Sequence, residues 1–328
     1  MPPPELLLAG AVVVALVLYL LFGGADFGGG VWDLLASGPR KAAQRETIER
    51  AIGPIWEANH VWLILVVVVV FAAFPRAFAA LSIALHVPLT LFLLGVVFRG
   101  SSFAFRSFDA GLGRRRYGLP FSIASVVSPV LLGMVVGTVA SGRIEVTGRS
   151  VISAPLAWLA PFPLATGLLA LALCAYLAAT YLTVEARTPE LADDFRRRAL
   201  IAAAVVAVCA LGALLLAFAG APRIAQQLTR RPWAWMLEIA ATAAAIGGVL
   251  ALWRRRFSVA RLLVATQVAL IVLGWAAAQY PYLLVDDLTI GHAAADPRTL
   301  RVLLYTLLAG VPVLVPSLWL LFRVFKRP

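Results

Sequence analysis

The sequence predicts an all-α polytopic membrane protein of about nine transmembrane helices, and three observations carry that expectation. Hydrophobic residues fill 62% of the 328 positions and charged residues only 13%, whereas a soluble domain is typically about half apolar and a quarter charged. The apolar residues form continuous runs of span length rather than alternating, which excludes a transmembrane barrel. The gaps between runs are short, so the chain is expected to be a single integral membrane domain over 1–328. A soluble core stops growing at roughly 250–300 residues and could not hide this much apolar surface. A soluble enzyme, a disordered tail and a secreted disulfide scaffold are excluded on the same ground.

The spans follow in order. The first, 6–25, comes after MPPPELLLAG, which has no Lys or Arg and so lacks the basic leader of a cleaved signal; it is expected to be a retained helix. The second and third, 55–74 and 78–98, are parted by Phe74-Pro75-Arg76, expected to be a tight turn. The fourth and fifth cover 118–140 and 156–182, and the sixth, 199–219, follows Arg196-Arg197-Arg198. Arg254-Arg255-Arg256 separates the seventh, 233–253, from the eighth, 259–279, and the ninth covers 301–323.

Net charge is +12. In a soluble chain that excess would suggest nucleic acid. Here the basic residues occupy the gaps, so the expected partner is the lipid bilayer and not nucleic acid. With nine spans, twenty of the 28 Lys and Arg fall on one face and eight on the other. That bias puts the N-terminus outside and the C-terminus in the cytoplasm. Cys174 and Cys209 lie inside apolar runs and are expected to be small buried hydrophobes. No CxxCH motif for covalent haem is present.

Ionisable groups inside spans are costly and therefore candidates for function. Asp26 sits among five glycines in Gly23-Gly24-Ala25-Asp26-Phe27-Gly28-Gly29-Gly30, at the expected cytoplasmic end of the first span. Those glycines allow close approach or irregular backbone. Either a tightly packed helix end or a functional carboxylate fits. Glu57 lies in Gly53-Pro54-Ile55-Trp56-Glu57-Ala58-Asn59-His60-Val61-Trp62. On a helix Trp56, Asn59 and His60 share a face, and a carboxylate three residues from an imidazole could pass protons inward. An interfacial aromatic belt with hydrogen-bonded neighbours explains the same residues. Glu238, beside Trp233 and Trp235, is explained by interfacial placement. The histidines are His60, His86 and His292, too few for a haem–copper core. Across a hairpin turning at Pro75, His60 and His86 would be offset by roughly 7–8 Å along the axis, which argues against their clasping one haem. His86 is expected to be a buried, hydrogen-bonded structural residue.

These residues resemble subunit II of the cytochrome bd-type quinol oxidases. The likeness is carried by Tyr19 through Asp26-Phe27-Gly28, then Ile52 to Leu63 with its Gly53-Pro54-x-Trp56-acid-x-Asn59 string. Phe71-Ala72-Ala73-Phe74-Pro75 and Phe98 to Arg106 complete it. The resemblance implies two four-helix bundles plus one peripheral helix, with bundle one at about 1–140 and bundle two plus the peripheral helix at about 150–328. It implies a bacterial cytoplasmic (inner) membrane and a haem-bearing subunit I as partner, with b- and d-type haems and the quinol site there; small single-span accessory subunits are a further possible partner. No haem, metal or catalytic residue is expected in this chain. The implied proton path comprises Glu57, His60 and Asp26, with Trp56, Asn59, Trp62, Arg99 and Arg106 in support. The family acid at position 57 is usually Asp, and Gly23, His60 and Ala104 stand where the family often carries polar groups. Three functions stay open: an oxidase subunit with a proton path, a purely structural assembly subunit of that oxidase, and a secondary transporter using Asp26, Glu57 and Glu238.

Overall fold

Inside a bilayer every backbone N–H and C=O must be bonded within its own segment, and the computed structural model of the protein meets that demand with helices. It describes residues 2–52, 56–108, 113–148 and 150–325, without the side chains of residues 56–58, 106–108, 113–117, 322 and 325. Helices α1 (Pro4–Leu34), α2 (Lys41–Ile52), α3 (Trp56–Ala73), α4 (Pro75–Ala84), α5 (His86–Phe108) and α6 (Gly113–Ala140) come first. A hairpin of β1 (Glu145–Thr147) and β2 (Ser150–Ile152) leads into α7 (Pro161–Glu185), α8 (Pro189–Gly220), α9 (Pro222–Arg230), α10 (Pro232–Trp253) and α11 (Phe257–Gln279). A second hairpin, β3 (Tyr282–Leu284) with β4 (Leu288–Thr289), and the single turn α12 (Ile290–Ala293) precede α13 (Pro297–Phe325). Proline opens α1, α4, α7, α8, α9 and α10. Its missing N–H costs nothing there, because no helical carbonyl would have received it.

Eight of the helices are long and apolar enough to span a membrane, or nine if Asn59–Ala73 and Pro75–Ala84 count as one broken span. That pair replaces the tight turn expected at 74–76. The chain bends by 116° at Phe74, runs through α4, and returns as α5 from His86 rather than from residue 78. Pro75 pushes the residue before it out of the helical region. Phe74 accordingly sits at φ −132°, ψ 59°, with its ring fully buried.

The first span also differs from expectation. It does not end near residue 25 but stays helical to Leu34, straight through the glycines. Those glycines are contact points. A Cβ on Gly28 would overlap the Cys174 carbonyl of α7, one on Gly29 would meet Ile52 of α2, and one on Gly30 would meet Ser125 of α6. Small residues let helix backbones approach where no hydrophobic effect drives them together.

Two four-helix groups result. In one, α1 packs on α3 and α6, and α5 packs on α6; in the other, α7 packs on α8, α10 on α11, and α11 on α7. The groups meet where α1 and α6 lie against α7. Peripheral α13 touches α1 and α3, and among its described residues only Leu300, in the first turn, is buried.

At the end marked by the C-terminus of α1, polar side chains tie the groups together. Arg40 donates to Asp194 from Nε at 2.8 Å and Nη2 at 2.6 Å. Gln44 Nε2 donates to the same carboxylate at 2.9 Å, and Arg198 Nη2 donates to Gln44 Oε1 at 2.7 Å. Trp32 Nε1 donates to the Ala175 carbonyl at 2.8 Å.

Gly28→Ala should therefore reduce the chain recovered from membranes and lower its melting temperature in detergent. Gly10→Ala, which has nothing within 4 Å of the added methyl, should leave both unchanged.

Candidate functional site

The most polar interior of the chain lies in the first helix group. Asp26 comes from α1 two turns before its end, with 5% of its surface exposed. Asn59, in the first turn of α3, donates its Nδ2 proton to Asp26 Oδ2. A buried carboxylate needs hydrogen bonds and a counter-charge. The counter-charge is Arg99 of α5, only 1% exposed and in electrostatic contact with Asp26. Arg99 Nε donates to Ser125 Oγ of α6 at 3.2 Å, and Ser125 in turn donates to the Phe121 carbonyl at 2.7 Å. The Arg99 guanidinium carbon stands 4.9 Å from the Phe27 ring centre and 5.3 Å from that of Phe121. Delocalised charge and weak hydration suit Arg to such a site.

His60 follows Asn59 on α3, partly buried, with its ring edge-on to Tyr19 at 6.3 Å between centres. The Tyr19 ring lies along α1 over Gly23, covering the space a side chain at 23 would take. Trp62 packs partly buried in the core of this group. Trp56 and Glu57 are in the first turn of α3, but their side chains lie outside the described residues, as does that of Arg106. The structure thus joins Asp26, Asn59 and Arg99 across α1, α3 and α5, with His60 set against Tyr19.

Arg99 is a correction. Sequence reasoning set it in a loop after a span ending at 98; it is inside α5, because that span starts eight residues later than expected. Two further groups escaped notice. Asp33, 2% exposed, accepts from Ser122 Oγ of α6 at 3.2 Å and lies 3.6 Å from Arg45 Nε of α2. Its signal was the seven-residue step from Asp26, two turns on one helix face, hidden by ending the first span at 25. Ser122, Ser125 and Ser128 of α6 face the same interior. Glu238 lies apart from all of these, exposed on α10 between Trp235 and Ile239, so the three acids of the transporter reading do not converge.

Against known proteins, the model of the family described as cytochrome bd terminal oxidase subunit II matches residues 4–325. The chain belongs to that family. The cytochrome bd-I ubiquinol oxidase subunit 2 of Escherichia coli K12 is 25% identical over 365 residues, covering 96% of this chain and 93% of that one. A Bacillus subtilis cytochrome bd ubiquinol oxidase subunit 2 is 30% identical over 132 residues, 40% of this chain and 38% of its own length. The bd oxidase structure from Geobacillus thermodenitrificans superposes with a TM-score of 0.82 at 25% identity, covering 98% of both chains. The protein is thus part of a cytochrome bd quinol oxidase, an oxidoreductase complex that contains haem and a subunit I.

His60 and His86 sit on different helices. His60 lies at the start of α3, whereas His86 opens α5 after the rest of α3 and all of α4. His86 is exposed rather than buried as expected, with Nδ1 3.0 Å from the Ile83 carbonyl, and His292 is in α12. Among the described residues no three His, Cys, Asp or Glu gather as a metal site.

Arg99→Met removes a buried counter-charge, and breaking such a pair costs ~3–5 kcal/mol. The variant complex should melt earlier in detergent. Arg99→Lys should recover only part of the loss, since an ammonium cannot match a planar guanidinium lying between two rings.

Proposed function

We propose that this chain is the haem-free subunit of its oxidase, and that it delivers protons from the cytoplasm toward the oxygen-reducing haem of subunit I. The whole chain acts as one membrane domain, docked on the haem-bearing subunit that oxidises quinol. Reducing oxygen to water takes up a proton for every electron, inside a site where uncompensated charge is costly. The observation that carries the reading is the buried Asp26–Asn59–Arg99 cluster. Asn59 holds Asp26 from the first turn of α3, two residues beyond Glu57. Glu57 would collect protons at the mouth, His60 would relay them, and Asp26 would hold them one layer further in. Trp56, Trp62 and Arg106 would frame that mouth.

The orientation rests on charge. The end of the bundle where α1 finishes is the end with Arg40, Arg45, Arg196, Arg197, Arg198, Arg254, Arg255 and Arg256, and the positive-inside bias assigns it to the cytoplasm.

Glu57→Ala should leave the reduced-minus-oxidised haem spectrum of the purified complex normal and slow quinol-driven oxygen uptake by about a hundredfold, the low end for loss of a proton-transfer group. Glu57→Asp, which keeps the carboxylate, should be milder. Unchanged turnover in both would leave the cluster a purely structural device for assembly.

A further inference from the structure

Deeper in the same helix group, three buried polar atoms have no hydrogen-bond partner among the described residues: Tyr19 Oη, Arg99 Nη2 and Ser128 Oγ. Tyr19 is 3% exposed and Ser128 fully buried, so bulk water does not reach them. Polar atoms so placed are held in native proteins by ordered water when protein groups do not serve them.

Their positions follow a direction. Along α6, Ser128 is one turn further from the charged end than Ser125, the residue that accepts from Arg99. Across from it on α5, Gly95 is one turn further from that end than Arg99, and a Cβ there would overlap Ser128 Oγ. Glycine at 95 thus leaves the hydroxyl uncovered. On α1, Tyr19 is two turns beyond Asp26, and its ring reaches back over Gly23 toward it. Phe27 links Tyr19 to Arg99, with its ring centre 6.5 Å from that of Tyr19 and 4.9 Å from the guanidinium carbon. Each of α1, α5 and α6 therefore carries one unpartnered hydrogen-bonding atom at or beyond the Asp26–Asn59–Arg99 layer. Around them stand Phe27 and His60, both edge-on to Tyr19.

We infer that Tyr19 Oη, Arg99 Nη2 and Ser128 Oγ hold a cluster of ordered water molecules, and that this cluster carries protons onward from Asp26 toward the middle of the membrane. The inference rests on the proton-delivery reading above and extends it past Asp26. A hydroxyl donates and accepts at once, so Tyr19 and Ser128 can hand a proton along by turning, with no change in their own charge. Arg99 cannot give up its proton; it orients the water and keeps Asp26 compensated.

The test uses the intact oxidase complex purified from its membrane. Tyr19→Phe should lower quinol-driven oxygen uptake about tenfold, the scale of one hydrogen bond lost from the transfer path. It should leave the haem spectrum and the quinol KM unchanged and enlarge the slowing seen in deuterium oxide, because proton delivery becomes limiting. Ser128→Ala should act in the same direction and more weakly, and it carries the same decision should Tyr19→Phe fail to assemble. A map of the wild-type complex that shows solvent should place water within hydrogen-bond reach of Tyr19 Oη and Ser128 Oγ. A dry interior overturns the inference, as does full turnover in Tyr19→Phe and Ser128→Ala while Asp26→Asn and Glu57→Ala are slow. If Asp26→Asn and Glu57→Ala also turn over at full rate, it is the proton-delivery reading that fails, and the inner extension falls with it.

Discussion

A guanidinium with 1% of its surface exposed is the constraint around which the first helix group is arranged. A charge removed from water must be compensated locally, or its helix does not pack. Arg99 receives that compensation from three directions: the Asp26 carboxylate, the ring faces of Phe27 and Phe121, and the Ser125 hydroxyl. Each needs a backbone close by, and the glycines supply it. Gly30 lets Ser125 sit against α1, and Gly95 lets Ser128 sit against α5. Asn59 then brings α3 into the same cluster through Asp26. One buried cation thus fixes the relative placement of α1, α3, α5 and α6.

The second helix group answers to a different rule. Its interior is Ala-, Leu- and Val-rich, with Tyr176, Phe195, Leu177 and Leu252 among its fully buried side chains. Of its ionisable residues, Glu238 is out on the surface, and Asp193 and Asp194 are spent on arginines at the charged end. Among the described residues the buried charges, Asp26, Asp33 and Arg99, therefore all lie in one half of the molecule. Within the first group, the Tyr19 ring stands over Gly23, so an aromatic ring occupies ground that a side chain at 23 would otherwise hold.

Much of this was legible in the sequence because a bilayer leaves few choices. Continuous apolar runs between arginine clusters located the spans to within about five residues from the fourth onward, except that the sixth helix begins at Pro189, ten residues before the expected 199. Errors arose where local signals competed with tertiary contacts. Glycine-rich sequence at 23–30 suggested a helix end, yet α1 continues, because buried neighbours on α7, α2 and α6 make each missing side chain an advantage. Pro75 announced a break but not its geometry. Whether the chain reverses at once or runs through α4 depends on the burial of Phe74, which no local pattern reveals. That error shifted the third span and put Arg99 in a loop instead of the interior. Asp26 and Asn59 were singled out as candidates, but their pairing spans 33 residues and two helices and lay beyond any helical periodicity.

The seam between the two helix groups bears on how anything could cross this subunit. Gly28 rests on the backbone of α7 at Cys174, Gly133 of α6 on that of Gly167, and Trp32 is bonded to the Ala175 carbonyl. Alternating-access transporters work by rocking one half against the other around a central site. Here the halves are in backbone-to-backbone contact along their seam and laced at one end by Arg40, Gln44, Asp194 and Arg198. A stationary frame of this kind suits the proposed hand-over of a proton between fixed side chains.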